Sequence, residues 1–148
     1  MFISFNMNQL TLIKINSSNQ HKKKLFKLLQ ERDFAISHGE DVSFEQHCKF
    51  VDNHPYRAWF LIEFSNEMIG SIYISKDNSV GIDLSKNYLI HIDGVLNLLL
   101  SKYKPLKGIN SVRNKNFFIN VSDKNNYLKQ ALKRLGYSPI QTSYQLKK

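Results

Sequence analysis

A chain of 148 residues, 42% hydrophobic and 12% aromatic, suits one folded domain with a sizeable core and is excluded by composition from the disordered class. Its formal net charge of +9 can draw anions to the surface, but the lysines are dispersed and no RNA-binding consensus accompanies them, so nucleic acid is not the expected partner. The single cysteine, Cys48, excludes an internal disulfide, and no apolar run reaches the roughly 20 residues of a membrane span. The first residues lack the pattern of a signal peptide, so a cytoplasmic location is expected.

Residues 10–15 are rich in apolar and β-branched types and predict a first strand. Ser17 and Ser18 can cap a helix over roughly 19–31 with Leu25, Leu28 and Leu29 on its apolar side. Its basic run, His21 to Lys24, reads as a solvated face. A polar loop through His38, Gly39 and Glu40 comes next. Ser43 and Gln46 then have the S-x-x-Q spacing of a capping box, in which the two side chains satisfy the first free amides of a helix. That helix presents Phe44, His47, Cys48 and Val51 on one face and stops before Pro55.

Residues 59–64 and 68–74 predict two strands joined by a polar turn at Ser65, Asn66 and Glu67. A second polar turn, Lys76, Asp77 and Asn78, leads to a short strand over 80–84, and connections this tight predict an antiparallel meander. The next helix, near 92–103, places Ile92, Val95, Leu96, Leu99 and Tyr103 at helical spacing. Leu98 and Leu100 widen that stripe, which predicts cover on more than one side. Pro105 and Gly108 end the helix, and 107–116 reads as an exposed loop.

Residues 117–121 predict a fifth strand. Ser122 or Asp123 can cap the final helix, and Asn125 is also suited to capping it. Leu128, Ala131, Leu132 and Leu135 fall at i, i+3, i+4 and i+7, and Gly136 stands where a left-handed residue closes a helix. The alternation of 140–146 predicts a half-buried sixth strand. No repeat or linker interrupts the chain, so one α+β domain over 1–148, with a tail at 1–9, is expected.

The order strand, two helices, three strands, helix, strand, helix, strand resembles the GCN5-related N-acetyltransferase (GNAT) superfamily, over nearly the whole chain from Leu10 on. Three local matches carry it: Ile69-Gly70-Ser71-Ile72 in the third strand, Ser43-Phe44-Glu45-Gln46-His47 followed by Phe50, and Asn120 to Asn125 leading to Leu135-Gly136-Tyr137. The last two resemble the branch that acetylates amino sugars on nucleotide carriers. The resemblance implies a mixed, mostly antiparallel central sheet flanked by helices, with the fourth and fifth strands splayed. It also implies transfer of acetyl from acetyl-CoA to a primary amine, a small molecule such as a nucleotide-linked amino sugar, without a metal, by a monomer or homodimer.

The same resemblance assigns site residues. Asp83 is the candidate proton acceptor. Leu132 stands where many relatives carry a mid-helix Tyr, so the resemblance supplies no acid, and Tyr127, near the start of the last helix, is the candidate by its position alone. Ile82, Asp83, Leu84, Asn120 and Asn125 are expected along the cofactor. Leu89, Ile90, His91, Ile92, Asp93 and Gly94 align with the pyrophosphate loop [QR]-x-x-G-x-[GA], whose small residues let backbone amides close on phosphates. Only Gly94 matches: Leu89 stands at the Gln or Arg position, Ile92 at the first Gly, and Asp93 adds a negative charge. His38, Ser111 and Arg113 are expected on the acceptor side, with Arg32 and Glu40 near it, and His47 is expected to hydrogen-bond locally on its own helix. The altered loop and the missing Tyr keep a second reading open, in which a degenerate GNAT domain serves as a ligand-binding or interaction module.

Overall fold

A computed structural model of the chain describes residues 9–32 and 41–147. Two helices cover one face of the sheet. Helix α1 (Asn19–Glu31) starts at Ser18, whose Oγ accepts from the His21 N–H at 3.2 Å. Helix α2 (Phe44–Asp52) starts with the full capping box: Gln46 N–H donates to Ser43 Oγ at 3.1 Å, and Ser43 N–H to Gln46 Oε1 at 3.0 Å. The basic run is not a solvated face. His21 is buried and accepts the Asn16 N–H on Nδ1, while Lys22 Nζ lies 2.9 Å from Asp52 and ties α1 to α2. His47 is buried too, but its partner is not local. Its Nε2–H donates across to the Lys22 carbonyl of α1 at 3.0 Å, with the Phe26 ring 5.4 Å away.

The strands β1 (Leu10–Lys14), β2 (Ala58–Phe64), β3 (Glu67–Ile74), β4 (Ser79–Leu84) and β5 (Phe118–Ile119) form one sheet in that spatial order. The first four run antiparallel to their neighbours, and β5 joins β4 in parallel. The β2–β3 turn has positive φ at Ser65 and Asn66, the backbone twist that suits a two-residue hairpin. Alternation sorts the side chains. Ala58, Phe60 and Ile62 with Ile72, Ile74, Val80 and Ile82 face α3 (Ile92–Lys102) and α4 (Asn126–Arg134). Trp59 and Leu61 face Leu25 of α1 and Val51 of α2. Helix α3 buries one face only, through Ile92, Val95, Leu96 and Leu99, and Leu100 is exposed. The α+β class, the mostly antiparallel mixed sheet with helices on both faces, and the parting of β4 from β5 agree with the expectation. No helix among the described residues is long and apolar enough to cross a membrane.

Asn78 is the joint between β4 and the second half of the chain. Sequence places it in a polar turn, yet it is fully buried, at φ 72°. Its Nδ2 donates to the Leu106 and Asn114 carbonyls at 2.8 and 2.7 Å, and its Oδ1 accepts the Leu106 N–H at 2.8 Å. Its own carbonyl accepts the Phe118 N–H, which starts β5. The loop 107–116 is therefore anchored at both ends by one side chain.

Of the three candidate caps of α4 the structure uses Asn125, whose Oδ1 accepts the Leu128 N–H at 3.2 Å, and not Ser122 or Asp123. The C-terminal part departs from expectation in two places. The fifth strand pairs over two residues instead of five, because it leaves β4. The predicted strand at 140–146 pairs with nothing among the described residues, and its side chains are exposed. Alternation specifies a chain with two faces but supplies no partner edge. Gly136 behaves as expected, at φ 91°: Tyr137 N–H donates to Leu132 O and Gly136 N–H to Lys133 O, the paired bonds of a Schellman ending.

Asn78 and His47 are open to direct test. Replacing Asn78 with Ala strands the Leu106 N–H and two carbonyls inside the protein. Stability should fall by about 3 kcal/mol, read as a lower urea midpoint at an unchanged m-value. Burial lowers the His47 pKa below the ordinary 6.5, outweighing the opposing hydrogen bond to Lys22. The unfolded chain then binds the proton more tightly, so this contribution is complete above pH 6.5 and is lost as pH falls through the folded value. Urea midpoints should drop between pH 7 and 5, and His47→Gln, which keeps a donor for Lys22, should flatten part of that drop. His54, also lowered by burial, accounts for a remainder.

Candidate functional site

The parting of β4 and β5 opens the site. Parallel pairing comprises Ser79 with Phe118 and Val80 with Ile119, and the last bond is Asn120 N–H to Val80 O at 3.3 Å. Backbone groups alternate sides along a strand. Ser75 N–H donates to Ser79 O, so Ser79, Gly81 and Asp83 direct their backbone bonds to β3. Asn78 and Val80 direct theirs to β5, and by the same parity Ile82 and Leu84 present N–H and C=O on the side that β5 has left. The Ile82 side chain is in the core, so its backbone is what it offers.

A cavity of about 750 Å³ extends from this gap across the α1–α2 face of the sheet. Cross-strand register arranges that face in rows. Leu61, Ser71 and Asp83 lie side by side, as do Trp59, Tyr73 and Gly81. Asp83 thus stands half-buried at the junction between the gap and the helix-covered face, next to Ser71. At the far wall the Lys86 ammonium lies 5.5 Å from the centre of the Tyr127 ring, a cation–π contact that links the turn after β4 to the first turn of α4. Asn125 lines the same wall; its Oδ1 is used as the cap and its Nδ2 is not part of that bond.

The other end is walled by aromatic rings. Tyr56 and Tyr73 stack with centroids 3.9 Å apart and planes 8° from parallel, and Trp59 meets Tyr56, Phe50 and His54 edge-on. The Tyr73 ring lies across Gly81, where a Cβ would come within 2.1 Å of its Cζ, so the strand needs glycine there. Burial pushes the Tyr56 phenol up to about 12, helped by the neighbouring Tyr73 and the hydrogen bond Tyr56 gives it, and opposed by Arg32. Sequence alone does not announce this wall. Its signal is the parity of β3, which puts Tyr73 on the face of Ser71 and away from the core residues Ile72 and Ile74.

Ile82, Asp83, Leu84, Leu89, Asn120, Asn125 and Tyr127 therefore line one cavity, together with Arg32. The rest of the expected pyrophosphate segment does not reach it. Residues Lys86–His91 wind into a 3-10 turn, and the Ile92 N–H donates back to Leu89 O instead of opening toward a ligand. Ile90 points to solvent, His91 packs on the Phe64 ring at 4.2 Å, Ile92 is in the core, and Asp93 is exposed. Gly94 faces β1, where a Cβ would come within 2.9 Å of Leu10 Cδ2, so its smallness serves helix-to-sheet packing. Ser111, at φ 63°, and Arg113 line a separate cavity of about 380 Å³ beside Asp77, and Arg113 donates to the Lys107 carbonyl at 3.1 Å. His38 and Glu40 lie outside the described residues. Among the described residues, no cluster of three or more His, Cys, Asp or Glu is placed to hold a metal ion.

No protein-family model matches the chain, and no curated protein matches it. Among solved structures, the chain is similar to a possible acetyltransferase from Clostridium difficile 630, with 12% sequence identity and a TM-score of 0.49 over 93% of this chain and 97% of that one.

Proposed function

We propose that the protein is a GNAT-type N-acetyltransferase that takes an acetyl thioester, as in acetyl-CoA, and passes the acetyl group to a primary amine. The observation that carries this reading is the Ile82–Leu84 backbone edge, left open by β5 and continuous with a cavity that contains Asp83. Such an edge fits a pantetheine arm, whose amides match alternating N–H and C=O groups, and Leu89, Val121 and Leu128 give the cavity an apolar side. Residues 89–94 do not form a diphosphate cradle, so recognition rests on the arm, with Lys86 as the cation beside Leu89.

Bound acetyl-CoA supplies an activated acetyl group. Ile82 and Leu84 fix the depth of the arm, and Asn120, the residue after β5, flanks it. Asp83 accepts the amine proton as the carbon–nitrogen bond forms and the carbon–sulfur bond breaks, and the Tyr127 hydroxyl supplies a proton to the departing sulfur. The amine enters from the α1–α2 side, where Lys27 and Arg32 are cations and Tyr73 and Trp59 offer ring faces and edges. That combination suits an acceptor with a sugar ring and a phosphate, the nucleotide-linked amino sugar of the finer reading.

A second reading, a binding module without turnover, is favoured by the closed start of α3. Calorimetry with acetyl-CoA and with acetyl-pantetheine, followed by turnover with an amine panel, separates the two. The enzyme reading expects both thioesters to bind with similar affinity and Asp83→Asn to lower kcat by about 10²–10⁴ at unchanged donor affinity. Binding without turnover over the panel leaves both readings standing, and no heat at millimolar thioester overturns the enzyme reading and leaves the module.

A further inference from the structure

The chain carries a strand without an edge and an edge without a strand. Residues 138–147 form no regular element, and along 140–146 Ile140, Thr142, Tyr144 and Leu146 alternate with Gln141, Ser143 and Gln145. The apolar members are held in solvent, with Ile140 66%, Tyr144 84% and Leu146 94% exposed. The sheet ends at β5, whose far edge has no partner strand among the described residues. Beside that edge Val112 is 74% exposed, and it lines the smaller cavity with Ile109, Phe118 and Ile140. The tail therefore starts against β5 and then runs on into solvent. An open edge next to exposed apolar side chains is a template for pairing with another chain.

We propose that a second copy of this chain completes both: residues 140–146 of each protomer add as a strand to the β5 edge of the other, in a two-fold symmetric exchange. One chain supplies the strand and the edge, so a reciprocal pair satisfies both with no third component, as a closed isologous contact requires. Strand addition pairs the outward-facing backbone groups of β5 and turns the incoming Tyr144 and Leu146 onto the Ile109–Val112–Phe118 patch, beside the Ile140 that already lines it. The exchange is independent of the catalytic reading. The net charge of +9 makes the two copies repel, so association strengthens with ionic strength.

The full chain is measured by light scattering after gel filtration and by hydrogen exchange, at about 1 and 100 μM in about 0.15 M salt. A dimer at the higher concentration, with amides of 141–146 protected there and exposed on dilution, is expected. Thr142→Pro, which removes a strand donor, and Tyr144→Asp should each raise the dimer dissociation constant at least about tenfold, with unchanged circular dichroism because the sites are exposed in one molecule. A monomer at the higher concentration, protection of 141–146 independent of concentration (the tail folding onto its own β5), or a dimer whose 141–146 amides exchange freely overturns the proposal.

Discussion

The buried amide of Asn78 holds the second half of the chain to the first. Three side-chain hydrogen bonds fix Leu106 and Asn114, and its carbonyl starts β5, so one residue sets where the returning chain meets β4. A fully buried amide with its bonds made rigidifies its surroundings, whereas any missing partner leaves a costly orphan. The opening between β4 and β5 is measured from this fixed point. Two residue pairs above it the strands separate, and the cavity runs from the space they leave across the α1–α2 face.

The two faces of the sheet have different duties. The α3–α4 face is filled by apolar side chains and holds the fold. On the α1–α2 face, rings and half-buried polar groups leave a cavity, and His47, Lys22 and Asp52 brace the two helices above it. Because β4 alternates, neighbouring residues serve both. Ile82 anchors the core by its side chain while its backbone faces the gap, and Asp83 bonds β3 by its backbone while its side chain lines the cavity. Core packing thus positions the backbone edge and the carboxylate of the cavity without any loop to hold them.

Much of the frame was legible because it is local. The Ser43–Gln46 box, the Gly136 ending and the apolar spacing of α3 depend on residues within a few positions of each other, where steric and hydrogen-bond rules act directly. Asp83, Asn120 and Asn125 were expected together only through the family resemblance, and the structure places all three on one cavity. Three things were not legible. Asn78 looks like any turn residue until its partners, 28 and 36 positions away, are in place. Gly94 looks like a ligand-approach glycine until Leu10 lies against it. The Tyr56–Tyr73 stack joins a loop to a strand, and no short spacing announces it.

Sequence by itself determined the main helices and the first five strands, their order and the mixed α+β class, because periodicity and capping are written in short stretches. Only the tertiary structure decided what those elements do to one another. It separated β4 from β5, wound 86–91 into a 3-10 turn, and left 140–146 outside the sheet. The physical reason is the same each time. A strand pattern states which faces are apolar, but pairing, closure and ligand space depend on which distant segment competes for the same hydrogen bonds and the same surface.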